Sequence, residues 1–109
     1  MRELRHPPTS DLDLTDVLAA LADPVRLRAV GELAARGEQS SGECSASCAG
    51  ETAKSTMSHH FRVLREAGLT RTRLDGAHRY VTLRRADLDA RFPGLLDAVL
   101  TNLRTDTPE

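Results

Sequence analysis

A chain of 109 residues holds one domain around one hydrophobic core, which excludes a multidomain machine or an enzyme built on a large cofactor fold. Apolar residues at 39% and charged residues at 28% exclude a wholly disordered chain; aromatics at 3% leave Leu, Val and Ala to build the core and favour helix over strand. The net charge of -1 conceals a segregation, because residues 1–53 carry -4, residues 54–85 carry +6 and residues 86–109 carry -3.

Residues 1–9, with Pro7-Pro8, lack periodicity and are expected to form a flexible arm before a folded domain over 10–104. Leu14, Val17, Leu18 and Leu21 recur at i, i+3, i+4 and i+7, which predicts a short helix over about 11–22. The next helix is bracketed by its own caps. Asp23 suits the N-cap, Pro24 the first helical position and Gly37 the residue just past the end, predicting a helix over 24–36. The small, polar stretch from Glu38 to Glu51 reads as a loop or as a short helix holding Cys44 and Cys48 one turn apart. Met57, Phe61 and Leu64 then predict a helix over 53–67 closed by Gly68. Two short runs around Asp75-Gly76 predict a hairpin over 69–83. Residues 86–91 form a turn or two of helix, and Leu95, Leu96, Val99, Leu100 and Leu103 give a last helix with more apolar surface than a monomer this small easily buries. The tail 105–109 is expected to be flexible. No apolar run approaches the roughly 20 residues that span a bilayer and no secretory core is present, so no membrane partner is expected and the expected location is cytoplasmic.

The predicted fold is mainly α with a small β-hairpin wing. A helix directly before a basic two-stranded hairpin is the winged helix-turn-helix order, in which the helix enters the major groove and the hairpin follows the backbone or minor groove. The +6 block covers those two elements alone. On the helix, the inward stripe leaves Lys54, Ser55, Ser58, His59, Arg62 and Arg65 outward as candidate DNA contacts, serine and imidazole for base edges, the cations for phosphate or guanine. His60 falls beside the buried stripe and is expected to pack within the domain. In the hairpin, Arg73, His78 and Arg79 are the candidate backbone contacts; individual wing arginines read equally well as plain surface residues. No nucleophile with a spaced base, Gly-rich phosphate loop or closed metal motif is present, so an enzyme is not expected.

The stretches LADPVRLRAVGEL, KSTMSHHFRVLREAGL and RTRLDGAHRYVTLR, spanning about Val17 to Leu83, resemble the ArsR/SmtB family of bacterial winged-helix transcriptional regulators. The resemblance implies a homodimer that binds a double-stranded inverted-repeat operator and represses until an inducer, often a metal ion, releases it. It also implies an interface through the first and last helices, here Leu14, Val17, Leu18, Leu95, Leu96, Val99, Leu100 and Leu103. Family members that sense thiophilic metals carry Cys-x-Cys followed by Asp before the recognition helix; Cys44 matches the second cysteine, but Gly42 and Ser45 stand where the first cysteine and the acid belong. Cys44 and Cys48 remain open to three roles: metal ligands with an extra donor such as His6, a reversible redox pair, or no sensory part. Zinc, nickel, copper(I) and arsenite are the candidate inducers. A winged-helix module for a protein partner, and a DNA-binding regulator without inducer, are the alternative functions.

Overall fold

The computed structural model describes residues 2–3, 5–48 and 53–103. In chain order the elements are β1 (Arg2–Glu3), α1 (Leu14–Leu21), α2 (Pro24–Arg36), β2 (Gln39–Ser40), α3 (Ser41–Cys48), α4 (Lys54–Ala67), β3 (Thr70–Asp75), β4 (His78–Leu83), α5 (Arg85–Arg91) and α6 (Leu95–Thr101). The four strands form one antiparallel sheet in the order β1-β3-β4-β2. This is the winged helix-turn-helix architecture. No helix among the described residues is long and apolar enough to cross a membrane.

The caps explain the helix limits. Helix α1 starts at Leu14 and not at residue 11, because the Asp13 carboxylate accepts from the Asp16 N–H and Thr9–Asp11 forms a separate 3-10 turn. Asp23 starts α2 by accepting from the N–H groups of Val25 at 2.8 Å and Arg26 at 3.1 Å. Burial opposes ionisation of Asp23, yet these two bonds, with His60 and Arg26 nearby, hold its carboxyl below the ordinary range. The segment 41–48 settles as helix through a capping box. Ser40 Oγ accepts from the Glu43 N–H, and a Glu43 carboxylate oxygen accepts from the Ser40 N–H. At the end of α4, Gly68 takes φ +91° and its N–H donates to Arg65 O while the Leu69 N–H donates to Leu64 O, a Schellman pair. A Cβ at Gly68 would also lie 2.0 Å from Leu12 Cδ2, so this position excludes side chains twice over.

The core joins Val17, Val30, Leu33, Leu64, Leu69, Val81 and Leu88, each burial of a large aliphatic side chain stabilising by roughly 1.5–3 kcal/mol. Two residues expected at a partner's surface belong here instead: Val17 is 0% and Leu96 2% exposed within the protomer. Leu103 also serves its own chain, since it lies over Gly31, where a Cβ would come within 2.8 Å of its Cδ1. Leu14 and Leu18, at 45% and 46%, remain outward, and Leu95, Val99 and Leu100 are half-buried on the edge of the core.

The expected loose arm is partly tied down. Arg2 and Glu3 pair with Leu74 and Arg73 on the wing's outer edge, and His6 Nε2 accepts from the Thr72 N–H at 2.8 Å. Pro7 O accepts from the buried Arg84 guanidinium, whose Nε donates to Asp87, which in turn accepts from Thr9 Oγ1. The Arg84 and Thr9 bonds hold the Asp87 carboxyl below the ordinary range. The tail 105–109 lies outside the described residues.

Candidate nucleic-acid interface

Packing α4 on one side of the wing leaves a concave surface of about 990 Å³ between them, with the N-terminal part of α3 as a further wall. All six outward residues predicted on the helix line it: Lys54, Ser55, Ser58, His59, Arg62 and Arg65. From the wing come His78 and Arg79. Ser40, Ser41 and Ser45 border the same surface; they escaped the sequence reading because they stand in the weakly patterned segment before the basic block.

Side-chain alternation in the hairpin decides which wing arginine faces the groove. Asp75 pairs with His78, so the two-residue turn is Gly76-Ala77, one residue later than the Asp75-Gly76 turn expected from sequence. Only Gly76 has positive φ, at +61°, as the first position of a type II′ turn requires. In this register Leu74 opposes Arg79 and Thr72 opposes Val81 on the inner face, while Arg73 opposes Tyr80 on the outer face. Arg73 therefore turns away from the groove. Its guanidinium donates to both Glu38 carboxylate oxygens at 2.9 Å and stacks 4.4 Å from the Tyr80 ring centroid. The bond from Arg73 holds the Glu38 carboxyl below its ordinary value. Arg73 braces the wing to the α2–β2 connection and is not part of the concave surface.

The cations of the basic block 54–85 divide into two populations. Arg71, Arg73, Arg84 and Arg85 each pair with a carboxylate. Among the described residues, Lys54, Arg62, Arg65 and Arg79 have no carboxylate partner, and all four line the groove. Arg62 Nη2 donates to His59 Nδ1 at 3.1 Å, so the neutral imidazole presents its Nε2–H as a donor. No side chain caps the start of α4, leaving N–H groups there for an anion; Thr52 lies outside the described residues. Behind the groove, Arg26 Nη1 donates to His60 Nδ1 at 3.1 Å and Arg26 Nε to Ala20 O at 2.7 Å, which ties α4 to α2 and to the end of α1. His60 is thus packed within the domain, as its place beside the apolar stripe implies.

Cys44 and Cys48 are both buried, with sulfurs 4.0 Å apart and the Cys48 thiol donating to Cys44 O at 2.8 Å. The bond to Cys48, together with burial, pushes the Cys44 thiol up. Among the described residues no group of three or more His, Cys, Asp or Glu is placed to hold a metal ion. His6 does not complete one: its Nε2 lone pair accepts from Thr72 on the β1–β3 side of the sheet, whereas α3 follows β2 at the opposite edge. Two buried thiols alone supply too few donors for a tetrahedral metal centre, and no third stands beside them among the described residues.

Known proteins share this arrangement. Residues 21–73 match the family described as a helix-turn-helix domain. The chain is 39% identical over 84 residues to the uncharacterized HTH-type transcriptional regulator YceK of Bacillus subtilis (strain 168), covering 76% of this chain and 82% of that one. It is similar to the transcriptional repressor BigR from Xylella fastidiosa, with TM-score 0.65 and 29% identity over 85% of this chain and 88% of that one. A possible transcriptional regulator for arsenical resistance superposes with TM-score 0.60 and 35% identity over 83% of this chain and 98% of that one. These relatives are transcriptional regulators and not enzymes. With the helix, wing and cationic groove in one place, the chain belongs to the ArsR/SmtB family of DNA-binding, winged helix-turn-helix transcriptional regulators.

Proposed function

We propose that the chain is a cytoplasmic repressor that binds an inverted-repeat operator as a homodimer, with α4 in the major groove and the β3–β4 wing along the backbone. The observation that carries this reading is the sorting of charge within the basic block 54–85: its cations without carboxylate partners among the described residues converge on one concave surface, whereas Arg71, Arg73, Arg84 and Arg85 are paired with carboxylates. Ser55, Ser58 and His59 are the base-reading set, and Lys54, Arg62, Arg65 and Arg79 the phosphate set. Dimerisation uses the exposed Leu14 and Leu18 and the half-buried edge of α6, apolar surface that a two-fold axis would bury against a second copy. Repression follows from occupying promoter DNA.

Modulation falls to the thiols. An oxidant of the hydroperoxide class would take two electrons and two protons from Cys44 and Cys48, leaving a disulfide, an alcohol and water. Closing the sulfurs from 4.0 Å to about 2.05 Å joins residues one turn apart in α3, which strains or locally unwinds that helix. Ser45 and Ala46 of that helix wall the groove, which links oxidation to DNA release.

Fluorescence anisotropy with a duplex selected from random sequence by the protein tests the DNA reading. Four groove cations per protomer give a log K against log [salt] slope of about -7 for a dimer, a loss of roughly ten-thousandfold between 50 and 200 mM salt. The Arg62→Ala, Arg79→Ala variant is expected to flatten that slope by about half. A module for an apolar protein contact would bind no duplex and show little salt response, and that result would overturn the reading.

A further inference from the structure

The sequence marks residues 1–9 as a flexible arm, yet the fold sets part of it beside the recognition helix. Arg5, His6, Pro7 and Pro8 face Arg65 and Glu66 of α4 across a shallow depression of about 500 Å³. Arg65 lines this depression and the α4–wing groove alike, so the two surfaces are continuous through one side chain. Arg5 is exposed, and among the described residues neither Arg5 nor Arg65 has a carboxylate partner. The backbone carrying Arg5 is fixed on both sides. Before it, Arg2 and Glu3 pair with β3; after it, His6 accepts from Thr72, Pro7 accepts from Arg84 and Thr9 donates to Asp87. Two consecutive prolines stiffen the same stretch. A cation on a backbone already ordered loses less entropy on engaging an anion than one on a free tail.

We propose that residues 5–8 form a second DNA-contacting element, in which Arg5, beside Arg65, binds a backbone phosphate just beyond the α4–wing groove. Glu66 on the same lining sets the outer limit of the cationic strip. The inference rests on the DNA-binding reading above and extends its footprint. The ligand is duplex phosphate and not a free anion, because a single pair of arginines on an open surface gains its affinity from a duplex already held by α4.

The test uses the full chain and the selected duplex, with anisotropy measured from 0.1 to 0.4 M salt on wild type, Arg5→Ala, Arg5→Lys and Arg62→Ala. Losing one contact per protomer in a dimer flattens the log–log slope by about 1.8 and weakens binding at 0.15 M salt by roughly thirtyfold, and lysine retains most of both. Hydroxyl-radical footprints of Arg5→Ala should lose protection at the outer ends of the site while keeping the centre. If Arg5→Ala matches wild type in slope and footprint while Arg62→Ala does not, the arm makes no contact and this proposal falls with the groove reading intact. If wild type itself binds no duplex, both fall.

Discussion

Helix α1 carries a direct test of how burial divides the core from the partner surface. Val17 and Leu18 are adjacent in sequence and equally apolar, but Val17 is sealed inside the protomer while Leu18 keeps nearly half its surface in solvent. Complete burial of a leucine side chain is worth about 2 kcal/mol, so roughly 1 kcal/mol remains for a partner to collect at Leu18. A two-fold dimer contains two copies, and Leu18→Ala is expected to weaken dimerisation by about 2 kcal/mol, near thirtyfold in Kd. Leu96 gives the contrast. Being buried in its own chain, Leu96→Ala is expected to cost about 2–5 kcal/mol of folding stability. Sedimentation equilibrium over a concentration series reads the first effect, and urea titration at concentrations where each variant is monomeric reads the second. The reasoning is refuted if Leu18→Ala dimerises like wild type, or if it lowers the urea midpoint as much as Leu96→Ala does.

Treatment with an organic hydroperoxide is expected to remove two mass units from the reduced chain and release the duplex, with Cys44→Ser and Cys48→Ser each insensitive; release in either variant would place the switch elsewhere. Zinc and nickel titrations of the reduced protein are expected to leave DNA binding unchanged, whereas metal-dependent release that disappears in the serine variants would restore a metal site at the thiols. Asp87→Asn removes the carboxylate from the buried Arg84 and is expected to cost about 2 kcal/mol at neutral pH, reduced from the full buried-pair cost because Asp87 is partly exposed. Because the folded state depresses the Asp87 pKa, its contribution is present above the ordinary value of 3.8 and disappears as pH falls through the lower folded value. Urea titrations from pH 7 down to pH 2 should therefore show the wild-type advantage vanish at the acid end; an advantage that persists there would contradict the assignment.

The groove was largely legible from residue spacing. A 3.6-residue period with Met57, Phe61 and Leu64 inward leaves only one set of side chains outward, and the structure gathers that set on one surface. The limits of α2 were equally legible, because Asp23, Pro24 and Gly37 act within a few residues of themselves. Helix α3 was ambiguous since its composition has no apolar stripe; the Ser40-x-x-Glu43 capping box was present as the available signal. Strands β1 and β2 carry no pattern of their own, being two residues each and formed by pairing with the edges of the wing.

What the order of residues determined alone was therefore local: helix faces, caps, and the crowding of positive charge into α4 and the wing. Tertiary structure decided the questions of partnership. Packing of the hairpin's Thr72–Val81 face against the domain put Arg79 on the inner face and left Arg73 on the outer face beside Glu38, since strand side chains alternate. An apolar stripe likewise states that Val17, Leu18 and Leu96 avoid water without stating against what, and only packing in three dimensions assigns Val17 and Leu96 to the core and leaves Leu18 outside it.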